Sequence, residues 1–153
     1  MALPESFLED FTGGYAQLIA NAGLGFVYAD TYTPTDWAIG LMAFPQAIGN
    51  VDIDTAVAFA PYPLTDNPTM NMTEVGLQVK CRAAGRDPRI VWRMDDAISN
   101  VLLGNYPITL PTGVRVATLQ RTSSGSLGQD DSERWLWTSN YPCNVFRPTL
   151  HRV

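Results

Sequence analysis

Hydrophobic positions recur along this chain with two different periods, and the change from one to the other marks out its elements. Between residues 4 and 22, Phe7, Phe11, Tyr15, Leu18 and Ile19 fall three and four apart, the spacing that lines one stripe of a helix. Pro4 suits a first helical turn, Glu5, Glu9 and Asp10 favour its positive end, and Gly23 is a natural stop. Gly13-Gly14 interrupts the stripe at a cost of ~1 kcal/mol each relative to Ala. That pair predicts a kink, or a place where another chain comes close.

From Phe26 the period shortens to two. Residues 26–32 read as a short strand. Residues 37–44 alternate, with Trp37, Ile39 and Leu41 on one face and Ala38, Gly40 and Met42 on the other. A strand over 56–60 is expected to end at Pro61-Tyr62-Pro63, and 64–73, with Asp66-Asn67-Pro68, reads as a loop. The clearest strand is 74–83. Val75, Leu77, Val79, Cys81 and Ala83 face one way, and Glu74, Gly76, Gln78, Lys80 and Arg82 face water or a partner. Asp87 as N-cap and Pro88 in the first turn open a second helix, with a stripe of Ile90/Val91, Met94, Ala97/Ile98 and Val101/Leu102 and a stop at Gly104. Residues 114–121 and 133–141 predict a hairpin joined by a long Ser/Gly/Asp loop, 122–132, and residues 142–153 read as a C-terminal arm. Loops of that length are usually functional or disordered.

The pattern predicts one α+β domain over 1–153, a mixed or antiparallel sheet packed against two main helices. No apolar run approaches the ~18 residues of a membrane span, and the acidic start lacks the basic region of a signal peptide. Synthesis in a cytoplasm is expected, where Cys81 and Cys143 stay thiols rather than a disulfide. Charge changes the picture more. Residues 1–79 hold nine acidic residues and no Lys or Arg, whereas 80–153 hold ten basic and six acidic residues. Either the two halves interleave and their charges mix, or the split marks surfaces that meet something charged.

Candidate chemistry is sparse. The only histidine, His151, lies three residues from the end, which argues against triads, Cys-His dyads and most zinc hydrolase sites. Gly23-Leu24-Gly25 lacks the rest of a dinucleotide fingerprint. Asp52/Asp54, Asp95/Asp96 and Asp130/Asp131 are possible acid–base pairs; for Asp95/Asp96 a solvated face paired with Arg89 and Arg93 is the plainer explanation. Trp37, Trp135 and Trp137 are core residues, or else an aromatic binding patch. The acidic balance and single lysine disfavour tight duplex binding.

The order of the pieces carries a further signal. A strand of the form Val-Gly-Leu-Gln-Val-Lys-Cys-Arg leads through Gly85-Arg-Asp-Pro88 into an amphipathic helix, and an aromatic strand runs into Phe146-Arg-Pro-Thr149. This resembles the tail terminator or minor capsid proteins of long-tailed bacteriophages, in element order over most of the chain and specifically over 75–103 and 114–149. The resemblance implies a small α+β virion protein, without cofactor or catalytic role, that forms a six-fold ring on the head-proximal end of the tail tube. Its partners would be its own copies, the tube protein and the head-completion (stopper) protein of the neck, with genomic DNA passing through the lumen. Interface candidates are then Arg82, Arg86, Arg89, Arg121, Leu127, Asp130, Asp131, Arg134, Phe146 and Arg147, and lumen candidates Asp52, Asp54 and Asp66. Another neck connector, an aromatic-pocket binding module and an enzyme built on an acidic pair are the alternatives.

Overall fold

The computed structural model describes residues 6–66 and 71–147. Its elements run α1 (Phe7–Ala20), β1 (Phe26–Val27), β2 (Trp37–Leu41), β3 (Gln46–Ala47), β4 (Val51–Asp52), β5 (Ala56–Asp66), β6 (Met72–Ala83), α2 (Arg89–Leu102), β7 (Ile108–Thr109), β8 (Arg115–Leu119), β9 (Ser123–Gln129) and β10 (Trp135–Phe146). The main sheet is ordered β1-β2-β5-β6-β10-β8-β7, with β9 also paired to β10. β1–β2 and β2–β5 are parallel and the remaining pairs of this sheet antiparallel, so it is mixed. A small β3–β4 ribbon stands apart. The α+β class with two helices is as the periodicities predict.

Both helices lie on one face of the sheet, and the register explains why. Val57 and Phe59 of β5 align with Cys81 and Val79 of β6, which align with Trp137 and Ser139 of β10. These positions share a face, and their apolar members pack with Phe11, Tyr15 and Ile19 of α1 and Val91, Met94 and Ile98 of α2 in one core. α1 starts at Ser6, whose side chain accepts the Glu9 amide (3.1 Å) while the Glu9 carboxylate accepts the Ser6 amide (3.2 Å). This reciprocal pair satisfies two otherwise unpaired helix-start donors. Pro4 and Glu5, expected in the first turn, lie outside the described residues. α2 begins as expected: Asp87 Oδ1 accepts the Arg89 amide at 3.0 Å, and Pro88 already has helical dihedrals.

The glycine pair in α1 is explained within this chain. A Cβ on Gly14 would lie 2.5 Å from Thr112 Oγ1 and 2.8 Å from Leu110 Cβ. The β7–β8 turn packs against the helix there, and α1 continues through both glycines.

Four expectations about strands and loops need correction. Only Phe26–Val27 of the expected 26–32 strand is extended. β5 does not stop at the prolines but runs to Asp66. The Met42 amide donates to the Phe59 carbonyl, so Phe59 points its backbone groups toward the β2 side. Pro61 and Pro63, two and four residues on, point the same way, beyond the end of β2 at Leu41. Their missing N–H groups therefore fall on an open edge, where a strand tolerates proline.

The expected loop 122–132 is mostly strand β9, paired with β10 from Ser123↔Asn140 to Gln129↔Trp135. The tight connection after it is organised by Asp130, which accepts the amides of Ser132 and Arg134, each at 3.0 Å. Glu133 takes the left-handed φ of 59° that closes the turn. The expected arm 142–153 begins inside β10, where residues 142–146 pair with β6; its remainder past Arg147, with His151, lies outside the described residues.

Candidate functional site

The sheet face opposite the helices has two unlike halves. At the β2 end the chain folds back over it. A Cβ on Gly40 would meet the Ala43 carbonyl oxygen at 2.2 Å, so only glycine permits that crossing. Beneath the returning chain, Tyr32, Ala38, Ala47 and Ile53 form a second small core. Toward β10 and β9 the face is uncovered. Ala60, Gln78 and Asn140 lie in one row across it, Lys80 and Thr138 in the next. Tyr62 lies across Gly76, where a Cβ would collide with its ring at 1.9–2.3 Å. A shallow depression of about 480 Å³ is lined here by Tyr62, Gln78, Ser123, Asn140 and Pro142, among others. The surface is broad, polar and nearly free of charge.

Several interface candidates take part in two ion-pair centres within the protomer. The first is built on Arg134, which is buried. Its Nε donates to Asp130 (2.8 Å), one Nη to Asp52 (3.2 Å), and the other lies 3.9 Å from Asp54. Arg82 is buried beside it, donating to the Ile53 carbonyl and stacking on Phe44 with the guanidinium 4.4 Å from the ring centroid. Burial, then the neighbouring Arg134 charge, lowers the Arg82 pKa. Hydrogen bonding from Gln46, then Arg134, lowers the Asp52 carboxyl. Asp130 is lowered by hydrogen bonds from Arg134 and Ser132, against burial, which acts the other way. Arg82 is therefore not the water-facing residue that strand alternation predicts, because the β3–β4 segment covers its end of the face.

The second centre lies between α2 and the sheet. Asp95 is buried, not on a solvated face, and Arg89 and Arg93 approach Asp87 instead, at 2.9 and 4.0 Å. The Ser139 hydroxyl donates to Asp95 Oδ1 at 2.7 Å, and Arg121 donates to Oδ2 at 3.2 Å. Ser139 has one hydroxyl proton and gives it to Asp95, so in the 2.8 Å contact with Ser124 it is Ser124 that donates. The chain Ser124–Ser139–Asp95 ties β9, β10 and α2 together. Sequence reasoning missed it because Asp95 occupies a position in the α2 stripe between Met94 and Ile98, where an apolar residue is the usual occupant.

The other candidates scatter. Arg86, Arg89 and Asp131 are exposed. Leu127 is exposed at the bulge of β9, between the Gly128↔Leu136 and Ser126↔Trp137 pairs. Phe146 stacks under Arg115, and Arg147 over Phe7. Among the lumen candidates, Asp52 and Asp54 share Arg134, whereas Asp66 lies apart, accepting from Thr73 at 2.9 Å and 4.0 Å from Arg147. Each has an arginine partner from the other half of the sequence. At these places the two halves interleave and their charges mix.

The three tryptophans proposed for an aromatic pocket are not brought together. Trp37 starts β2 beside Phe26, and β5 and β6 separate it from β10. Trp135 donates to the Gly85 carbonyl at 3.0 Å, and Trp137 packs edge-on against Trp92. Among the described residues, no group of three or more His, Cys, Asp or Glu side chains is placed to hold a metal ion, and no helix is long and apolar enough to cross a membrane. Set beside known proteins, the chain matches no protein-family model and no curated protein.

Proposed function

We propose that this protein is a structural virion subunit of the tail-terminator kind. It forms a ring, six-fold by the family resemblance, that closes the head-proximal end of a phage tail tube and seats the head-completion protein of the neck. The single observation that supports this reading most is the uncovered sheet face over β5, β6, β10 and β9. Protein interfaces are depleted of charge at their centre and enriched in tyrosine, and the strip around Tyr62, Gln78 and Asn140 has that character. Asp52, Asp54 and Asp66 each have an arginine within 4.0 Å. A lumen lined by them would be close to neutral and would not hold passing DNA.

The test is electron microscopy of polymerising tail-tube protein with and without this chain. The reading expects tubes capped at one end and stopped at a defined length. Tubes that elongate without limit, with no density at either end, would sink it.

A further inference from the structure

Most open sheet edges among the described residues are short or carry proline. β1, β3, β4 and β7 hold two residues each. β1 leaves only residues 39–41 of β2 unpaired on its side, and β7 only residues 117–119 of β8. The stretch of β5 that runs past β2 contains Pro61 and Pro63, which lack the donors an incoming strand needs. β9 is different. Its residues Ser123–Gln129 pair with β10 on one side and with no strand on the other. They include no proline and no charged residue, two of the features that keep an edge from pairing. The bulge at Leu127 kinks the strand once and leaves Ser123–Ser126 in regular register with β10.

One flank of α2 looks toward this edge. Arg121, just before β9, reaches Asp95 and Asp96 of α2 at 3.2 and 3.9 Å. Ser124 of β9 is linked to Asp95 through Ser139. Trp92 lies three and four residues before those two carboxylates, on the same flank of the helix. It is half exposed and packs against Trp137, with ring centroids 6.0 Å apart. Leu127, on the edge itself, is also half exposed. A free strand edge flanked by exposed apolar side chains has the parts of a strand-addition site, where backbone pairing gives affinity and side chains give specificity.

We propose that two copies of this chain pair β9 to β9, antiparallel and about a two-fold axis, so that their sheets run into one. The occupant is a second copy because the edge that matches β9 in length and freedom from proline is β9 itself. Its ends also carry opposite charge, Arg121 before the strand and Asp130-Asp131 after it. Antiparallel pairing sets the basic end of each copy against the acidic end of the other. Asp131 is exposed and has no cation within 4.0 Å among the described residues. Both α2 helices then lie on one face of the joined sheet, with a Trp92 on either side of the joint. Such a contact is isologous and closes on itself, so it builds no ring. It goes beyond the tail reading and stands without it. In the free chain it covers an edge that would otherwise template aggregation.

Sedimentation velocity over a concentration series tests it. The wild-type chain should show a monomer–dimer equilibrium. Leu127→Lys should weaken the dimer at least about tenfold, because like charges then meet near the centre of the joint. Leu127 is exposed, so this variant keeps the fold, which circular dichroism checks. Oxidative cross-linking reads the pairing directly. Ser126→Cys lies near the axis and should form a disulfide between copies, within the reach such a bond requires. Ser123→Cys and its symmetry mate lie roughly 15–20 Å apart along the strands and should stay unlinked. Cys81 and Cys143 are buried and do not compete. A wild-type chain that stays monomeric or forms only rings, a Leu127→Lys chain that dimerises like wild type, or Ser123→Cys linking as readily as Ser126→Cys would each overturn the joint. Tube capping separates the two readings: a monomer that caps tubes rejects this joint alone, and a dimer that leaves tubes uncapped rejects the tail role alone.

Discussion

Adjacent glycines in one helix should respond to the same substitution with opposite sign. Replacing a helix-interior glycine by alanine stabilises by up to ~1 kcal/mol, through propensity and the loss of unfolded-chain freedom. At Gly13 nothing opposes that gain, since the nearest atom to an added Cβ is Tyr28 Oη at 3.5 Å, an ordinary contact. Gly13→Ala should raise stability by about 0.5–1 kcal/mol, or about 1–4 °C in Tm for a chain of this size. At Gly14 the added Cβ would sit 2.5 Å from Thr112 Oγ1, 2.8 Å from Leu110 Cβ and 3.0 Å from Leu110 Cδ1. Leu110 Cβ is one bond from the backbone and Thr112 donates to the Asp10 carbonyl at 2.5 Å, so the turn must move as a unit. Overpacking of this kind costs roughly 1–3 kcal/mol. Against the propensity gain, Gly14→Ala should be destabilised by about 1–2 kcal/mol. Urea unfolding of the two variants at one protein concentration reads the difference directly. Gly14→Ala in a Thr112→Ala background should lose less than in wild type, because the nearest clash is gone. If Gly14→Ala were as stable as Gly13→Ala, the packing of the β7–β8 turn on α1 would be wrong.

Three further outcomes follow from buried and paired groups. Asp95→Ala removes the acceptor for the fully buried Ser139 hydroxyl and should lower stability by roughly 2–3 kcal/mol, measured by urea unfolding; a loss under about 0.5 kcal/mol, usual for a surface change, would show that the α2–sheet network does not form. The Asp87 carboxyl, held first by the Arg89 side chain and then by the Arg89 amide, lies at about 2. Its folded pKa is below the ordinary ~3.9, so its stabilising contribution is present at neutral pH and lost as pH falls from about 4 through 2; NMR titration should place it there and Arg89→Ala should return it to the ordinary range, whereas a wild-type value near 4 refutes the pairing. Cys81 and Cys143 are both buried, and burial pushes their thiols up, Cys143 to about 12. Ellman's reagent at mildly alkaline pH should react with neither until the chain unfolds, and fast labelling of native protein would contradict their placement.

Much of the fold was legible in the order of residues, because local rules fix it. The period of apolar positions set α1, α2 and the core face of β6. Asp87 and Pro88 set where α2 begins. The sequence by itself also showed that charge divides at about residue 79, a property that needs no coordinates. What it could not show was which neighbours each charge would meet, since those lie far away along the chain. Arg134 collects Asp52 and Asp54 from some eighty residues earlier, so one buried guanidinium holds two carboxylates that stay exposed. Asp95 has the local look of a solvated carboxylate, and only the docking of α2 onto Ser139 makes it a buried one. The Ser/Gly stretch at 123–129 has weak strand propensity, yet it is ordered because β10 offers an open edge whose N–H and C=O groups need partners. The tertiary structure likewise decided what remained outside. Among the described residues, Glu9, Asp10, Asp30, Asp36 and Glu74 of the acidic half meet no cation within 4.0 Å, whereas Arg89 and Arg93 share Asp87 and Arg121 reaches Asp95 and Asp96. Burial and pairing are non-local, so the chain order alone announced a charge split, and only the packing showed where its unbalanced parts stand.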